Sequence, residues 1–166
     1  NLQDLSSVRA FARKLDEDFA HLDVLMNNAG IMNTPYGLTK DGFESQMGTN
    51  HLGHFALTGH LLDVLKRTAG SRVVTVSSSG HRAGTMKFDD LLFDNGRTYT
   101  PLKAYGRSKL ANLLFAYELQ RHFERHGIGC ISIAAHPGAS QTNLGRHIEH
   151  ALPFRLLNPL LERVVQ

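Results

Sequence analysis

The sequence predicts an α/β fold, in which helices cover both faces of part of a doubly wound parallel sheet. Three short apolar stretches alternate with longer stretches whose apolar residues recur at helical spacing. A polar turn follows each short stretch at its carboxyl end. Since ligands of such sheets bind at the carboxyl ends of the strands, these turns are the expected positions of a functional site.

The first predicted helix begins close to Asn1, because Asp4 and Ser6 can cap its amino end. Apolar residues then recur at helical spacing, at Val8, Phe11, Ala12, Leu15 and Phe19. A short apolar strand over residues 22–26 comes next and runs into the polar turn at 27–30. We therefore expect the first polar turn at the end of a sheet strand.

Residues 41–67 are predicted to form a second long helix that ends before Gly70, because glycine readily adopts the left-handed conformation of a helix end. The second strand is the β-branched stretch 72–76, which runs into three consecutive serines at 77–79. This second polar turn is expected beside the first one, at the same edge of the sheet.

About twenty loop residues follow, more than an ordinary connection needs, and a loop of this length is usually functional. Its apolar residues predict a lipophilic ligand: they are Met86, Phe88, Leu91, Leu92 and Phe93. Thr100 and Pro101 are favoured as the cap and first residue of a third helix, over 101–126. The third strand, 128–135, leads into 136–138, and residues 141–166 are predicted to be helical with interruptions at two prolines.

Composition narrows the function classes. The net charge of +3 comes from lysines and arginines scattered along the chain without basic runs, so we expect no nucleic-acid partner. The longest apolar runs fall short of the roughly 18 residues needed to cross a bilayer, so we expect no membrane segment. One cysteine, Cys130, favours a reducing compartment and a cytoplasmic location. The chain begins with Asn1 rather than methionine, which suggests that further sequence precedes it.

Tyr105 and Lys109 are four residues apart on the third helix, so their side chains share one face. A cation beside a phenol stabilises the phenolate and helps it to exchange a proton with a substrate. A tyrosine and a lysine on a solvated helix surface would show the same spacing. The pair alone therefore does not establish a catalytic site.

Further clusters occur in a fixed order along the chain: Asn27-Asn28-Ala29-Gly30, Asn50, Ser78, Tyr105 with Lys109, and Pro137-Gly138 with Thr142. This order resembles the signature of the short-chain dehydrogenase/reductase family. Residues 50–55 and 108–112 are most similar to its retinol-dehydrogenase and WW-domain-oxidoreductase branch. The resemblance implies one Rossmann-like domain over 1–166 and hydride transfer between a nicotinamide cofactor and an alcohol or carbonyl. It implies NAD or NADP, of which the branch favours NADP.

The resemblance also implies the role of each catalytic residue. Tyr105 is the general acid and base, while Lys109 acidifies Tyr105 and hydrogen-bonds the nicotinamide ribose. Ser78 donates a hydrogen bond to the substrate oxygen, and the family pattern selects this serine because it lies three residues before His81. Asn50 holds a water that relays protons to Lys109. Ser77 and Ser79 are interpreted as parts of an ordinary turn.

Cofactor contacts follow from the same resemblance. The turn with Asn28, Ala29 and Gly30 is similar to the segment beside the adenosine ribose. Asn1 falls where the family places an adenine contact. The nicotinamide side is implied for Tyr105, Lys109, Pro137, Gly138 and Thr142.

The chain lacks two features of the family pattern. The glycine-rich turn that seats the pyrophosphate and the residue that distinguishes NAD from NADP are both missing. We therefore expect a catalytic portion truncated at both ends, from a protein of about 280 to 320 residues. On its own it should bind the cofactor weakly and lack activity. The alternative is a non-catalytic fragment or interaction module that keeps the motifs without binding a dinucleotide.

Two further expectations concern metal ions and assembly. His51, His54 and His60 lie close in sequence, but neither a carboxylate nor a cysteine completes a ligand set at suitable spacing, so we expect no metal. Helices 41–67 and 101–126 are the candidate contact of a homodimer. The apolar stripe on the second of these helices is either core or subunit interface: it comprises Leu113, Leu114, Ala116 and Leu119.

Overall fold

The structure, a computed structural model, describes residues 1–93 and 96–138. Within them, three parallel strands pair in the order β1 (Val24–Asn27), β2 (Arg72–Val76) and β3 (Ile131–Ala135). Val24 pairs with Arg72, and Arg72 with Ile131, so that the carboxyl ends of the strands align. The predicted α/β class and parallel sheet are confirmed, although β3 begins three residues later than expected.

Helices precede and connect these strands. They are α1 (Leu5–Asp18), α2 (Ser45–Met47), a π-helical turn (Gly48–Leu52), α3 (Gly53–His60), α4 (Leu62–Arg67) and α5 (Pro101–Arg125). Two 3₁₀ turns, Ser79–Ala83 and Phe88–Asp90, lie in the loop between β2 and α5. No helix in the described part of the chain is long and apolar enough to cross a membrane. The expected cytoplasmic location stays a prediction.

The prediction of one continuous helix over 41–67 was wrong. Residues 39–43 form a tight turn instead, in which the backbone N–H of Thr39 donates to the carbonyl of Phe43. The helix begins at Ser45, where the Glu44 carboxylate accepts hydrogen bonds from the N–H groups of Gln46 and Met47. A π-helical turn and a break at Leu61 divide the remainder. Gly70 follows with φ +71°, as a helix end of this kind requires.

Helix α1 starts as expected, because the Asp4 carboxylate caps it by accepting from the N–H groups of Ser6 and Ser7. A hydrogen bond from the Lys40 ammonium holds the pKa of Asp4 far below its ordinary value. Val8 and Ala12 are buried, whereas Phe11 and Phe19 are 56% and 59% exposed. The apolar face of the helix is therefore narrower than the spacing of its hydrophobic residues predicts.

The core lies between the helices and one face of the sheet. Leu25 and Val73 of the sheet pack there against α1, α4 and the end of α5, through Ala12, Leu61, Val64, Leu65 and Phe123. Cys130 is buried in the same cluster. On the opposite face, Val24, Met26, Ile131 and Ile133 are 44–60% exposed in the described part of the chain. In the described part of the chain, the hydrophobic core therefore packs against one face of the sheet.

Candidate active site

The carboxyl ends of β1 and β2 meet the first half of α5, and three predicted residues come together there. A Cβ placed on Gly30 would lie 3.1 Å from Asn50 Oδ1 and 3.6 Å from Lys109 Nζ. The turn after β1 therefore approaches both side chains with its backbone, and a larger residue at position 30 would press on them. Residues separated by up to 79 positions in sequence form one cluster, as the family pattern predicts.

Tyr105 and Lys109 are both buried, with 7% and 4% of their surfaces exposed. The Lys109 Nζ lies 5.7 Å from the centroid of the Tyr105 ring. A solvated helix surface, the alternative explanation of their spacing, would leave both side chains open to water. Their burial beside one another instead matches a pair in which a cation acts on a phenol.

The ammonium of Lys109 is held by a neutral acceptor. Nζ donates a 3.1 Å hydrogen bond to the backbone carbonyl of Val76, at the end of β2. Among the described residues no carboxylate forms a salt bridge with it, and burial alone lowers its pKa from 10.5 to about 8. Lys109 is therefore charged at neutral pH and loses that charge as the pH rises through about 8.

Ser78 follows β2 and caps the 3₁₀ turn, where its Oγ accepts a 3.1 Å hydrogen bond from the N–H of Gly80. A Cβ placed on Gly80 would lie 3.4 Å from Ser78 Oγ and 3.2 Å from Tyr105 Cε1. The hydroxyl of Ser78 and the ring of Tyr105 therefore flank the same glycine, where a substrate oxygen could meet both groups.

The neighbouring serines have other surroundings. Ser77 is buried, and its Oγ donates a 2.8 Å hydrogen bond to the backbone carbonyl of Lys109. This bond ties the end of β2 to α5 and uses the hydroxyl of Ser77. Ser79 is exposed to solvent. The geometry therefore supports the choice of Ser78 among the three.

Asn50 lies in the π-helical turn and is fully buried. Its Oδ1 accepts from the N–H of Ile31 at 2.8 Å, and its Nδ2 donates to the Ile31 carbonyl at 2.9 Å and to Ser108 Oγ at 2.9 Å. These bonds join the turn after β1 to α5. Asn50 thus positions the two segments that carry Gly30 and Lys109, and π-helical turns often occur at such functional positions.

Other predicted cofactor residues lie at the surface. Asn28 and Ala29 are exposed after β1, and Pro137 and Gly138 are exposed after β3, where Gly138 has φ +74°. Asn1 is exposed too, and its Oδ1 accepts from the N–H of Gln3 rather than bonding to the Tyr105 cluster. Thr142 lies outside the described residues.

Sequence reasoning missed the polar residues that support the pair. Ser108 bonds Asn50, and Asn112 Nδ2 donates to the same Val76 carbonyl as Lys109, at 3.0 Å. Arg107 is 4% exposed and bonds backbone carbonyls of the loop that follows Ser78. Three consecutive polar residues, 107–109, are thus buried. The signal that could have revealed them is a polar run on a helix otherwise predicted to pack on a sheet.

The histidines form internal contacts. His51 Nδ1 lies 3.2 Å from Asn112 Oδ1, and His54 Nδ1 lies 3.0 Å from the Asn50 carbonyl. Burial lowers the pKa of both rings, so both are neutral at pH 7. The described part of the chain holds no group of three histidine, cysteine or carboxylate side chains arranged for a metal ion.

Known proteins show a consistent likeness. The family model described as short chain dehydrogenase matches residues 1–90. Human retinol dehydrogenase 14 is 48% identical over 164 residues, which is 99% of this chain and 47% of that protein. Human retinol dehydrogenase 13 is 49% identical over 147 residues, 89% of this chain and 44% of that protein. The chain thus spans about half the length of the curated relatives it matches.

Solved structures agree. One of a protein from Mycobacterium Paratuberculosis is 52% identical with a TM-score of 0.76, and covers 95% of this chain and 56% of its own. The Pseudomonas aeruginosa RhlG/NADP active-site complex is 25% identical with a TM-score of 0.66, and covers 90% of this chain and 55% of its own. The chain therefore belongs to the short-chain dehydrogenase family, and within it is similar to the retinol dehydrogenases.

Proposed function

We propose that the chain carries the proton-transfer residues of a nicotinamide-dependent oxidoreductase that acts on an alcohol or carbonyl substrate. The observation that carries the proposal is the pairing of a buried lysine, which has no carboxylate partner in the described residues, with the ring of Tyr105. A buried cation without a counter-charge is costly in a merely structural role. It is useful where a nearby group must become negative during a reaction.

Tyr105 moves the proton at the substrate oxygen. An alcohol that becomes a carbonyl releases its hydroxyl proton to the phenolate, and in the reverse direction the phenol returns it. The Lys109 ammonium stabilises the phenolate form, because its positive charge lies 5.7 Å from the ring centroid. Ser78 donates its hydroxyl proton in a hydrogen bond to the same substrate oxygen, where negative charge develops.

Asn50 acts by holding segments in place. Its three side-chain hydrogen bonds fix the turn after β1 and the Ser108 side chain, one residue before Lys109. The proton-relay role implied by the resemblance, through a water held by Asn50, remains part of the proposal. Its support is that Asn50 Oδ1 and Lys109 Nζ both lie within 3.6 Å of the same position beside Gly30.

A nicotinamide cofactor fits the residues present. Lys109 Nζ has three N–H donors and gives one to Val76, which leaves donors for ribose hydroxyls. Asn28, Ala29 and Gly30 would hold the adenosine ribose. Asn1 would contact the adenine, and Pro137, Gly138 and Thr142 would hold the carboxamide. When bound, the nicotinamide ring supplies or accepts the hydride.

Both NAD and NADP are kept as candidates, and we favour NADP. Its support is the similarity to RhlG, whose solved structure is described as an NADP active-site complex. The residue that distinguishes the two cofactors in the family is not found in this sequence. A direct comparison of the dissociation constants of NADH and NADPH decides between them.

We propose a lipophilic substrate. Similar proteins are named retinol dehydrogenases, and the loop after Ser78 presents Phe88 with 81% of its surface exposed. Phe88, Leu91 and Leu92 line a surface depression together with Asp89 and Asp90. Phe93, which the sequence analysis grouped with them, is 1% exposed and packs under Arg107, so it supports the loop instead.

A homodimer through the π-turn, α3 and α5 is also proposed. Phe55 is 54% exposed, and its ring lies 5.4 Å from that of Phe115, with His51 beside both. A contiguous aromatic surface of this kind is typical of a subunit contact.

The test uses the full-length protein. Binding of NADH and NADPH is measured by calorimetry, and turnover is followed with aldehydes of increasing chain length. We expect saturable binding of at least one cofactor and a kcat/KM that rises with chain length. A protein that binds neither cofactor would instead fit the non-catalytic interaction module. Binding without turnover of any aldehyde or alcohol would contradict the proposed chemistry.

A further inference from the structure

The loop after Ser78 curls around the first half of α5. We call residues 79–93 the wrapping segment. Gly80 lies against the ring of Tyr105, and a Cβ on Gly80 would lie 3.2 Å from the ring atom Cε1. Gly84 lies against the backbone of Gly106, and a Cβ on Gly84 would collide with the Gly106 carbonyl. The carbonyls of Thr85, Asp90 and Leu91 then reach Arg107. Successive helix residues are about 100° apart, so the wrapping segment passes from the Tyr105 side to the far side of α5.

Arg107 holds the far end of this segment. Its Nε donates to the Thr85 carbonyl at 2.9 Å, and its Nη1 donates to the carbonyls of Asp90 and Leu91 at 2.6 and 2.9 Å. The side chain is 4% exposed. Hydrogen bonds from a buried cation are strong, and the planar guanidinium can reach several acceptors at once. One side chain thus fixes three points of the wrapping segment.

Phe93 completes the attachment. The guanidinium carbon of Arg107 lies 3.9 Å from the centroid of the Phe93 ring, and the ring is 1% exposed. Phe93 has φ +66°, a conformation unfavourable for a residue with a bulky side chain. The surrounding structure must compensate for that strain, and strained residues of this kind cluster at functional sites. Arg107 above the ring and Tyr99 at its edge, 5.4 Å away, provide the compensation.

We propose that Arg107 is a positioning residue for the proton-transfer site, and that it acts through the wrapping segment on Ser78. This inference rests on the proposed function. Ser78 precedes the segment, Gly80 touches Tyr105, and the close Gly84–Gly106 packing leaves no side chain between the segment and the helix. The contact of Gly80 with Tyr105 at one end and the Arg107 hydrogen bonds at the other therefore fix the position of the wrapping segment. With Arg107 in place, Ser78 Oγ and the Tyr105 ring stay beside Gly80, where the proposed substrate oxygen meets both groups.

The test is chemical rescue in the full-length protein. Arg107→Ala removes the guanidinium, and guanidinium chloride at millimolar concentration can then refill its place. We expect kcat to fall about tenfold or more, as a misplaced catalytic group predicts, and added guanidinium to restore part of it. The cofactor Kd should stay within about twofold, since Arg107 is not in the proposed cofactor site. Arg121→Ala is the matched control: this arginine lies exposed on the same helix, and neither its kcat nor its response to guanidinium should differ from wild type.

Hydrogen exchange of the wrapping segment provides a readout that does not depend on activity. In Arg107→Ala we expect faster exchange in residues 79–93, reversed by guanidinium. If exchange rises while kcat remains at the wild-type value, Arg107 serves only the fold and the proposal is overturned. If Arg107→Ala does not fold, Arg107→Lys is tested instead. Lysine keeps the positive charge but lacks the planar guanidinium that reaches several carbonyls at once, so its kcat should lie well below that of wild type. A wild-type value in Arg107→Lys overturns the proposal. If the wild-type protein, in which Arg107 is present, turns over no substrate, the proposed function itself is refuted. That outcome is distinct from the variant results, which test only the role of Arg107.

Discussion

The two halves of helix α5 differ in what they bury. In the first half Arg107, Ser108, Lys109 and Asn112 are all at most 4% exposed, and each donates a hydrogen bond to a carbonyl outside its own turn or accepts one from another element. In the second half the charged side chains are exposed, and Glu118 pairs there with Arg121 and Arg125. The first half of α5 therefore buries polar side chains, whereas the second half is an ordinary amphipathic helix.

The second half shows how the fold alone would build such a helix. Ala116 and Phe123 are buried, and Phe123 belongs to the hydrophobic core. Burial of apolar side chains stabilises the fold directly, whereas a buried polar group costs free energy unless it is hydrogen-bonded. The first half instead buries four neighbouring polar side chains, each of which needs a hydrogen-bond partner from elsewhere in the fold. We propose that the proton-transfer chemistry, rather than stability, determines the residues from Tyr105 to Asn112.

The largest expected effect on stability comes from Lys109→Met. Burial lowers the pKa of Lys109 from 10.5 to about 8, so the folded protein holds the charge less readily than the unfolded chain. The cost is fully present below about pH 8 and disappears as the pH rises toward 10.5. A shift of this size corresponds to roughly 3 kcal/mol, and the lost bond to Val76 offsets about 1 kcal/mol of it. We expect Lys109→Met to be about 2 kcal/mol more stable than wild type near pH 7.

Urea unfolding of both proteins at several pH values between about 7 and 10.5 tests this sign. The advantage of Lys109→Met should shrink as the pH rises, because only wild type gains stability over that range. Lys103→Met is the control, since Lys103 is exposed on the same helix. A constant difference between Lys109→Met and wild type across this range would contradict the assigned cost of burial.

A change of comparable size and opposite sign is expected for Ser108→Ala. Ser108 is fully buried, its Oγ accepts from Asn50 Nδ2, and it donates to the Tyr105 carbonyl. Removing the hydroxyl leaves one N–H of Asn50 without this acceptor, which costs about 1–3 kcal/mol in the free energy of unfolding. Thermal or urea unfolding measures it. Equal stability of Ser108→Ala and wild type would show that the Asn50–Ser108 bond contributes nothing.

The smallest effect belongs to the second half of the helix. Glu118→Gln removes exposed pairs with Arg121 and Arg125 and should lower the free energy of unfolding by about 0.2–1 kcal/mol, less at high salt. Its kcat should equal that of wild type. If Glu118→Gln reduced turnover, the division of α5 into a functional and a structural half would fail.

Much of the fold could be predicted from the sequence because the signals are local. The three strands were found from short apolar runs, and α5 from its Thr100-Pro101 start. The start of the helix before the π-turn was not found, because residues 39–43 are held in a turn by hydrogen bonds between residues, which apolar spacing does not report. Phe11 and Phe19 match the helical spacing but face solvent, since spacing alone does not show which neighbours are present.

The site divides in the same way. Tyr105, Lys109, Ser78 and Asn50 were selected because their identity and order along the chain resemble the signature of the family. Arg107 was missed because its partners are backbone carbonyls of residues 85–91, and every residue type offers a carbonyl. The strained conformation of Phe93 is equally invisible in the sequence, since nothing in the local pattern calls for a positive φ. Contacts of the backbone in an irregular loop require the structure.

The central claim, that Tyr105 is the proton-transfer residue, is tested most directly by a pair of variants on one helix. Tyr105→Phe and Tyr117→Phe each remove one phenolic hydroxyl, the first from a buried position and the second from one that is 57% exposed. In the full-length protein we predict that Tyr105→Phe lowers kcat about 10²–10⁴-fold with cofactor binding largely intact, while Tyr117→Phe matches wild type. A Tyr105→Phe variant that keeps more than about a tenth of the wild-type kcat would contradict the claim.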